Sequence, residues 1–347
     1  MHISIFASIG CQNLGDELIL KNEILIFEKT PSIFGLTEFK DIPNFNIFTY
    51  DTEDIFFEKE NISYKEYFPK DIRNPKKILK NIKNYSSFLE SIIFSDFLVI
   101  GGGGLFYDSE LQTSTKNLDL WLWRIKKFKK YKKKIIFYGV SIDIKQEENK
   151  EKIKLIFSPA YKIFVRDEHS KKFLGEMGIS SEIILDPVFF DNGKFFPDKN
   201  LLLGNFPSKG FDTKNLSSYD FTGKIVGLAL RGGYFSKSRE EENEIIKNIL
   251  GFILSAGARE VLLLPHSFHK TDIQANDKIF LEQFVGEDII IGGENIKKIY
   301  EIYKNKQIDI CFCMRLHSII LCQVYKIPFI TLSYAKKTDE TIKKLQE

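Results

Sequence analysis

The sequence predicts an α/β protein of two Rossmann-like domains that face a cleft. Short apolar runs alternate with longer amphipathic stretches along the 347 residues, as strands alternate with helices in such proteins. At about 150 residues per domain, a chain of this length contains about two domains. A stretch rich in Gly, Asn, Ser, Pro and Asp interrupts the alternation and indicates a connection between the domains. We therefore expect domains over 1–195 and 224–347, with a linker or loop over 196–223.

In the first half, each predicted strand runs into a turn and then a helix. Residues 2–8 predict the first strand, and Leu14 to Phe27 predict a helix that is opened by Asn13 or Gly15. The apolar run 96–100 predicts a buried strand that ends in four consecutive glycines. The other predicted elements are helices at 116–132, 148–157 and 167–175, and strands at 134–142, before Arg166 and before Asp186.

The second half repeats the alternation. The predicted strands lie at 224–230, 261–265, 288–292, 308–313 and 328–334, and the predicted helices lie between 266 and 288 and at 239–256, 295–305 and 319–326.

Composition excludes several classes of protein. Lysine and arginine total 50 against 47 acidic residues, a formal charge of +3, so the sequence predicts no nucleic-acid binding. The sequence has no secretory signal and no apolar run of about 18 residues, so we expect a cytoplasmic protein. The four cysteines are too few for a disulfide framework. Because Cys311, Cys313 and Cys322 lie in apolar stretches, we expect them in the core and predict no metal site.

Cationic side chains follow several predicted strands of the second half. Arg231, His266, Arg315 and His317 stand at strand-to-helix junctions, and Lys337 follows the last strand. The carboxyl ends of parallel strands meet at one edge of a sheet, where ligands bind. Arginine forks match carboxylate and phosphate oxygens. The sequence thus predicts a site for a small, multiply charged anion. The alternative is surface charge at loop ends together with a helix-capping histidine.

Two turns of the first half are candidates for a second part of the site. The first turn contains Asn13, Gly15, Asp16 and Glu17, and the second is the glycine run 101–104. Glycines allow a ligand to approach the backbone closely. Neither turn has the sequence of a Walker-type loop or a GxGxxG fingerprint. Asp16 is either an acid that stabilises a helix N-terminus or a carboxylate that faces the cleft and can accept a proton from a ligand hydroxyl.

Seven lysines are concentrated between Lys126 and Lys134. The run is either a solvated helix end or a contact with an anionic membrane surface, where each lysine contributes about 1 kcal/mol. Both interpretations stay open at this point.

Several short motifs follow one another along nearly the whole chain. They are NLGDE at 13–17, GGGGLF at 101–106, VRDEHS at 165–170, LDP at 185–187, LR at 230–231, LLPHS at 263–267, MRLHS at 314–318 and IPFITLSYAKK at 327–337. Taken in this order, they resemble the polysaccharide pyruvyl transferases. That family transfers the pyruvyl skeleton of phosphoenolpyruvate to two hydroxyls of a sugar, which makes a cyclic ketal and releases phosphate. The resemblance also implies a GT-B-like fold.

The resemblance implies roles for individual residues. Arg231, Arg315 and His317, with Leu316 between the last two, would bind phosphoenolpyruvate in the C-terminal domain, and Lys337 would neutralise its carboxylate or phosphate. We expect His317 to be the general acid. Asp16 or Glu17 in the N-terminal, acceptor-side domain is the expected base. The expected cleft residues on the acceptor side are Asn13, Gly15, Gly102, Gly103, Gly104 and His266. No cofactor or metal is expected, because phosphoenolpyruvate is a co-substrate.

The expected acceptor is a hexose whose 4- and 6-hydroxyls form the ketal, carried on a lipid diphosphate or a polysaccharide precursor. This would make the enzyme a cytoplasmic protein that is peripheral at the inner face of the membrane. The chain ends ten residues after Lys337, whereas family members usually continue, which indicates a short member or a shortened chain. The alternatives are a GT-B glycosyltransferase with a nucleotide-sugar donor and a non-catalytic glycan-binding or scaffold protein.

Overall fold

The computed structural model describes residues 1–34, 42–68, 78–108, 115–193, 198–209, 211–333, 338–339 and 341–343. The chain divides into two compact units. The first comprises Met1–Gly10 and Asp16–Pro187, and the second comprises Cys11–Gly15 and Val188–Glu347. The first unit therefore ends earlier than the predicted boundary at 195, and the predicted first turn is divided between the units. None of the helices in the described ranges has the length and hydrophobicity of a membrane-spanning segment.

The described part of the first unit contains eight strands and five helices. The strands are β1 His2–Phe6, β2 Asn44–Thr49, β3 Ile62–Glu66, β4 Phe97–Ile100, β5 Gly103–Tyr107, β6 Lys134–Asp143, β7 Lys162–Val165 and β8 Glu182–Ile183. The helices are α1 Leu14–Lys29, α2 Ile78–Phe94, α3 Thr115–Lys130, α4 Glu147–Phe157 and α5 Glu168–Glu176. The described strands form a parallel sheet in the order β3-β2-β1-β4-β6-β7-β8, and β5 also pairs with β6. Helix α1 packs on one face of the sheet and α2 to α5 pack on the other.

Aromatic rings fill the core between the sheet and helices α2 and α3. Phe6 stacks on Phe48 with ring centroids 4.3 Å apart, and Phe88 meets the Phe6 ring edge-on at 6.0 Å. Such pairs add about 0.5–1.5 kcal/mol each to the free energy of apolar burial. The cluster joins β1, β2 and α2, and the turn that follows β1 contains candidate residues of this unit.

The second unit contains a sheet of six described strands. They are β9 Leu202–Pro207, β10 Ile225–Ala229, β11 Glu260–Leu263, β12 Ile289–Ile291, β13 Ile310–Cys313 and β14 Phe329–Ser333. Their order in the sheet is β12-β11-β10-β13-β14-β9, and every pairing is parallel. The helices are α6 Arg239–Ser255, α7 Asp277–Leu281, α8 Ile296–Lys304 and α9 Leu316–Tyr325.

The two parallel α/β units confirm the predicted fold class, but helix α2 and four strands, β2, β3, β5 and β9, were missed. Strands β2 and β3 have no clear apolar run in the sequence. Strand β9 lies inside the segment predicted to be linker or loop, where it pairs with β14 at the edge of the sheet. Its residues alternate between half-buried and exposed, so its pattern is weaker than that of a central strand. The Gln323 side chain anchors the chain before β9, because it bonds both the N–H and the C=O of Asp198.

A buried carboxyl group of α1 contacts the glycine run 101–104. Glu23 of α1 is fully buried, and its Oε1 accepts a hydrogen bond of 2.6 Å from the Gly102 N–H. The buried ion pair of Arg166 and Asp186, at 2.6 Å, is close enough to act on it electrostatically. The pKa of Glu23 is raised to about 8, mainly because the group is buried. The hydrogen bond from Gly102 opposes this rise, the negative charge of Asp186 adds to it, and the positive charge of Arg166 opposes it. The group therefore retains its proton at neutral pH.

Glu23→Gln should change how stability depends on pH. Between pH 5 and 8 the folded protein keeps a proton on Glu23 that the unfolded chain, with an ordinary pKa of 4.5, has released. The free energy of unfolding therefore falls as pH rises through this window, by on the order of 3 kcal/mol from this group. Glutamine does not titrate and keeps an oxygen acceptor for the Gly102 N–H. Between pH 5 and 8, urea unfolding should therefore show a fall in the free energy of unfolding that is smaller for the variant than for the parent by about that amount.

The matched control is Glu176→Gln, which changes an exposed glutamate near the end of α5. This variant should follow the parent protein at every pH. If Glu23→Gln and the parent protein have parallel stability profiles from pH 5 to 8, Glu23 does not titrate in this range.

Candidate anion-binding site

Three neighbouring strands of the second unit end in cationic or polar residues. Strand β10 lies between β11 and β13, and Ala229 pairs with Cys313 at the carboxyl ends of β10 and β13. Arg231 follows β10, His266 follows β11, and Arg315 follows β13. All three strands are parallel, so these residues lie at one edge of the sheet, as predicted.

Asp277 holds the Arg315 guanidinium in place. The two side chains form an ion pair, in which Asp277 is 2% exposed and Arg315 is 13% exposed. The second carboxylate oxygen of Asp277 accepts a hydrogen bond of 3.1 Å from the backbone N–H of His266. Burial raises the pKa of Asp277, whereas the charges of Arg315 and Arg231 and the hydrogen bonds lower it. One buried carboxylate thus joins the end of β11 to the end of β13.

The turn after β10 is fixed by another buried acid. Glu242 of α6 is 3% exposed and accepts the backbone N–H groups of Gly233, Tyr234 and Phe235 at 2.8, 2.9 and 3.1 Å. The Arg231 guanidinium lies 5.1 Å from the centroid of the Tyr234 ring, a separation at which a cation is attracted to an aromatic face. The turn and the ring together set the direction of Arg231.

The segment Cys11–Gly15 belongs to this site and not to the first unit. Two backbone hydrogen bonds join it to the chain beyond β11. The Leu14 N–H donates to the His266 C=O at 2.8 Å, and the Phe268 N–H donates to the Gln12 C=O at 2.9 Å. Asn13 forms a bridge with Ser267. The placement of Asn13 and Gly15 in an acceptor-side N-terminal domain is therefore corrected, because these backbone bonds tie them to the second unit.

Gly15 lies directly against His317. Helix α9 begins at Leu316 with Arg315 as its N-cap, so His317 stands in the first turn of the helix. A Cβ atom on Gly15 would lie 1.9 Å from His317 Nδ1. Only glycine leaves room for the imidazole here, so the role of Gly15 is contact with a side chain of the protein.

Two other predicted site residues of this unit are buried. His266 is 2% exposed, and its Nε2 shares a 2.9 Å hydrogen bond with the Tyr303 hydroxyl. Burial, followed by the charges of Arg315 and His317, holds the pKa of His266 well below its ordinary value. Leu316 is 8% exposed and packs inside the unit. The His266 ring thus lies inside the unit and not at the open mouth of the strand, because it packs against Tyr303. Lys337 and Tyr334 lie outside the described residues.

The candidate residues of the first unit divide into structural and accessible groups. Glu17 is 5% exposed and accepts the Gly10 N–H at 2.8 Å, so it holds the turn after β1. Gly102 packs against α1, and its N–H bonds Glu23. Asp16 Oδ1 lies 3.0 Å from the position that a Cβ on Gly103 would occupy. Gly104 is exposed and a Cβ there would have no atom within 4 Å.

The three buried cysteines form a cluster. The thiols of Cys311, Cys313 and Cys322 lie within 4.8 Å of one another, and Cys313 Sγ is 3.6 Å from Cys322 Sγ. Within the described part of the chain, these three thiols are the one set of three or more His, Cys, Asp or Glu ligand atoms that lie close enough together to hold a metal ion. Their complete burial agrees with the predicted core position. The approach of Cys322 to the other two was not predicted.

The arrangement favours a small anion. Arg231 and Arg315 provide two cations, and Asp277 offsets only part of their charge. The N-terminal turn of α9 directs backbone N–H groups to the same edge of the sheet, where a helix attracts negative charge. Sequence reasoning missed Asp277 and Glu242, because an acid in the first turn of a helix is ordinary. The only signal for Asp277 was its place at a helix start soon after His266.

Asp277→Asn should destabilise the protein by roughly 2–3 kcal/mol, because Arg315 keeps its charge and loses a buried partner. Urea or thermal unfolding measures the change. The matched control is Glu282→Gln, which removes the exposed pair with Lys278 at 3.5 Å and should cost less than about 0.5 kcal/mol. Equal effects of the two substitutions would contradict the anchoring role of Asp277.

Comparison with known proteins gives a family match over nearly the whole chain. A family model described as polysaccharide pyruvyl transferase matches residues 13–336, which include every candidate site residue except Lys337. HepE from Anabaena, solved in complex with UDP, is similar with a TM-score of 0.42 and 10% identity, over 99% of this chain and 89% of that chain. An α,α-trehalose-phosphate synthase (UDP-forming) from Burkholderia vietnamiensis is similar with a TM-score of 0.46 and 10% identity, over 96% and 85%. No curated protein matches the sequence significantly.

Proposed function

Because the chain belongs to the polysaccharide pyruvyl transferase family, we propose that it transfers pyruvate from phosphoenolpyruvate to two hydroxyls of a sugar and releases phosphate. The observation that supports this donor is the pair of arginines, Arg231 and Arg315, at the ends of two adjacent parallel strands. Phosphoenolpyruvate has a phosphate and a carboxylate on one small skeleton. Two guanidinium groups and the start of α9 match these two anionic groups.

Each component of the site would have one role in binding the donor. Arg231, set by Tyr234 and the Glu242 turn, and Arg315, set by Asp277, would bind the anionic groups of phosphoenolpyruvate. Lys337 stays a predicted third cation. Fixed cations bind a developing phosphate charge without reorganising in the transition state, so the buried carboxylates Asp277 and Glu242 would contribute to catalysis through the arginines.

The chemistry needs one acid and one base. His317 would donate a proton to the methylene carbon of phosphoenolpyruvate, which makes C2 electrophilic. A sugar hydroxyl would add to C2, the bond from C2 to the phosphate oxygen would break, and a second hydroxyl would close the ketal. The base would take the hydroxyl protons as the oxygens add to C2 and pass them on, so that one finally restores His317 and the other leaves with phosphate. Asp16 stays the predicted base, whereas the buried bond of Glu17 to Gly10 makes Glu17 the weaker candidate.

For the acceptor we propose a hexose with free 4- and 6-hydroxyls, because these two oxygens close a six-membered ketal. A sugar on a lipid diphosphate or another polysaccharide precursor would suit the family. The proposal for the acceptor depends on the family assignment and on ring geometry.

Phosphate release tests the proposal. The full chain should release phosphate only when phosphoenolpyruvate and a suitable sugar are both present, and mass spectrometry should detect the ketal product. Phosphoenolpyruvate should also raise the melting temperature more than UDP or GDP does. Stabilisation by a nucleoside diphosphate alone, without phosphate release for any acceptor of the panel, would favour a glycosyltransferase.

Arg231→Gln should weaken phosphoenolpyruvate binding by about tenfold or more, because charge-assisted hydrogen bonds are lost. The control is Arg259→Gln, which makes the same change at an exposed residue just before β11, at the opposite edge of the same sheet. This variant should bind within about twofold of the parent, since solvent screens a distant exposed charge. Calorimetric titration measures both. Equal affinities of the two variants would remove Arg231 from the donor site.

Gly15→Ala should lower turnover by at least about tenfold, because the new Cβ displaces the His317 ring and misplaced catalytic groups lose rate steeply. The overlap should also cost stability, about 1–3 kcal/mol, so turnover is compared at a temperature at which both proteins are folded. Gly104→Ala adds the same methyl group in open space and should keep normal turnover. His317→Ala should lose turnover while it still binds phosphoenolpyruvate, and near-normal turnover of this variant would disprove the acid assignment.

A further inference from the structure

The outer face of helix α2 is unusually apolar for a surface helix. Nine of its residues are exposed, and five of these nine are large apolar side chains. They are Ile78, Leu79, Ile82, Ile93 and Phe94, which are 52, 84, 61, 46 and 67% exposed. A surface helix normally presents charged and polar residues to water, so this face requires an explanation.

The exposed apolar residues form an outer stripe in two groups, with Ile78, Leu79 and Ile82 in the first two turns and Ile93 and Phe94 at the end of the helix. Ile78, Ile82 and Ile93 are separated by four and eleven residues, which places them on one face of a helix with 3.6 residues per turn. The buried face is a different one, formed by Phe88, Ser91 and Ile92. Helix α2 therefore has two apolar stripes, one on the core and one directed outward.

Both ends of the outer stripe carry lysines. At the start of α2, Lys80 and Lys83 are exposed within the first two turns of the helix. At the other end, Lys133 Nζ donates to the carbonyl oxygens of Ile93 and Ser95 at 2.7 and 2.8 Å, so the lysine run 126–134 reaches the end of α2. Glu90 is the only acid among the nine exposed residues of α2.

We propose that the outer face of α2 lies on an anionic membrane surface. An amphipathic helix with aliphatic and aromatic side chains on one face, flanked by lysines, binds at a lipid interface through apolar burial and attraction to anionic headgroups. Contact between two copies of this face would bring the lysine clusters of both copies together, and like charges oppose such an interface. The apolar anchor is thus α2, and the run Lys126–Lys134 contributes charge beside it.

This position would serve the proposed acceptor, and in that respect the inference rests on the proposed function. The start of α2 lies at the carboxyl end of β3, because Lys80 Nζ is 2.6 Å from Glu66 Oε1 and Asn84 bonds the same carboxylate. In a parallel sheet, that edge also carries the turns of Asp16 and Gly104. A membrane contact at the start of α2 would hold this edge of the first unit close to lipid-linked sugars.

Vesicle sedimentation tests the inference with the full chain. The protein should bind vesicles of phosphatidylcholine mixed with phosphatidylglycerol, bind pure phosphatidylcholine poorly, and bind less at high salt. The double variant Leu79→Asn/Ile82→Asn should bind about tenfold or more weakly, since two apolar side chains no longer enter the interface. The control Leu155→Asn/Ile273→Asn changes residues that are 54 and 69% exposed elsewhere and should bind like the parent.

A second variant checks the electrostatic part without touching the apolar stripe. Lys83→Gln/Lys129→Gln/Lys130→Gln should weaken binding to the anionic vesicles and reduce its salt dependence. Absence of binding by the parent protein, or equal binding by the parent and the α2 double variant, overturns the inference. So does a stable dimer of the parent that the double variant converts to a monomer.

Activity separates this inference from the proposed function. Phosphate release with a water-soluble acceptor should be the same for the parent and the α2 double variant. Vesicle binding without phosphate release for any acceptor would overturn the proposed function alone. Phosphate release without vesicle binding would overturn the membrane contact alone.

Discussion

The candidate site depends on one buried ion pair, that of Asp277 and Arg315. Each partner follows a different strand of the second sheet. The Asp277 carboxylate also accepts a hydrogen bond from the backbone N–H of His266. Removing two charges from water costs free energy unless each is paired and hydrogen-bonded. A guanidinium that is held in this way has one orientation. The parallel sheet brings Arg231 to the same edge, and the Glu242 turn fixes it by the same principle.

Sequence reasoning could predict the residues of the sheet edge but not their supports. Arg231, Arg315 and His317 were found because polar residues that interrupt apolar strands of a parallel sheet must meet at its carboxyl edge. Asp277, Glu242 and Glu23 were missed because each occupies a helix, where acids are common and burial has no local signature. Strand β9 was missed because an edge strand that is half solvated has no continuous apolar run.

Glycine gave the least secure predictions. In the sequence, Gly15 and the run 101–104 were interpreted as places where a ligand approaches the backbone. In the structure, Gly15 makes room for His317, and Gly101 and Gly102 make room for Ile19 and Glu23 of α1. The absence of a Cβ has the same sequence signature whether the neighbour is a ligand or a side chain of the same protein. Long-range packing decides between the two, and a single sequence does not contain it.

The chain passes between its two units at three points, after Gly10, after Gly15 and after Pro187. A chimera of two relatives joined only at 187/188 would therefore inherit the segment opposite His317 from the wrong parent. Exchange of donor-binding modules within such a family would need the five residues Cys11–Gly15 to travel with the second unit. Recombination at a single crossover is thus a poor route to new specificity for this architecture, and coordinated change at the two places in the gene is required.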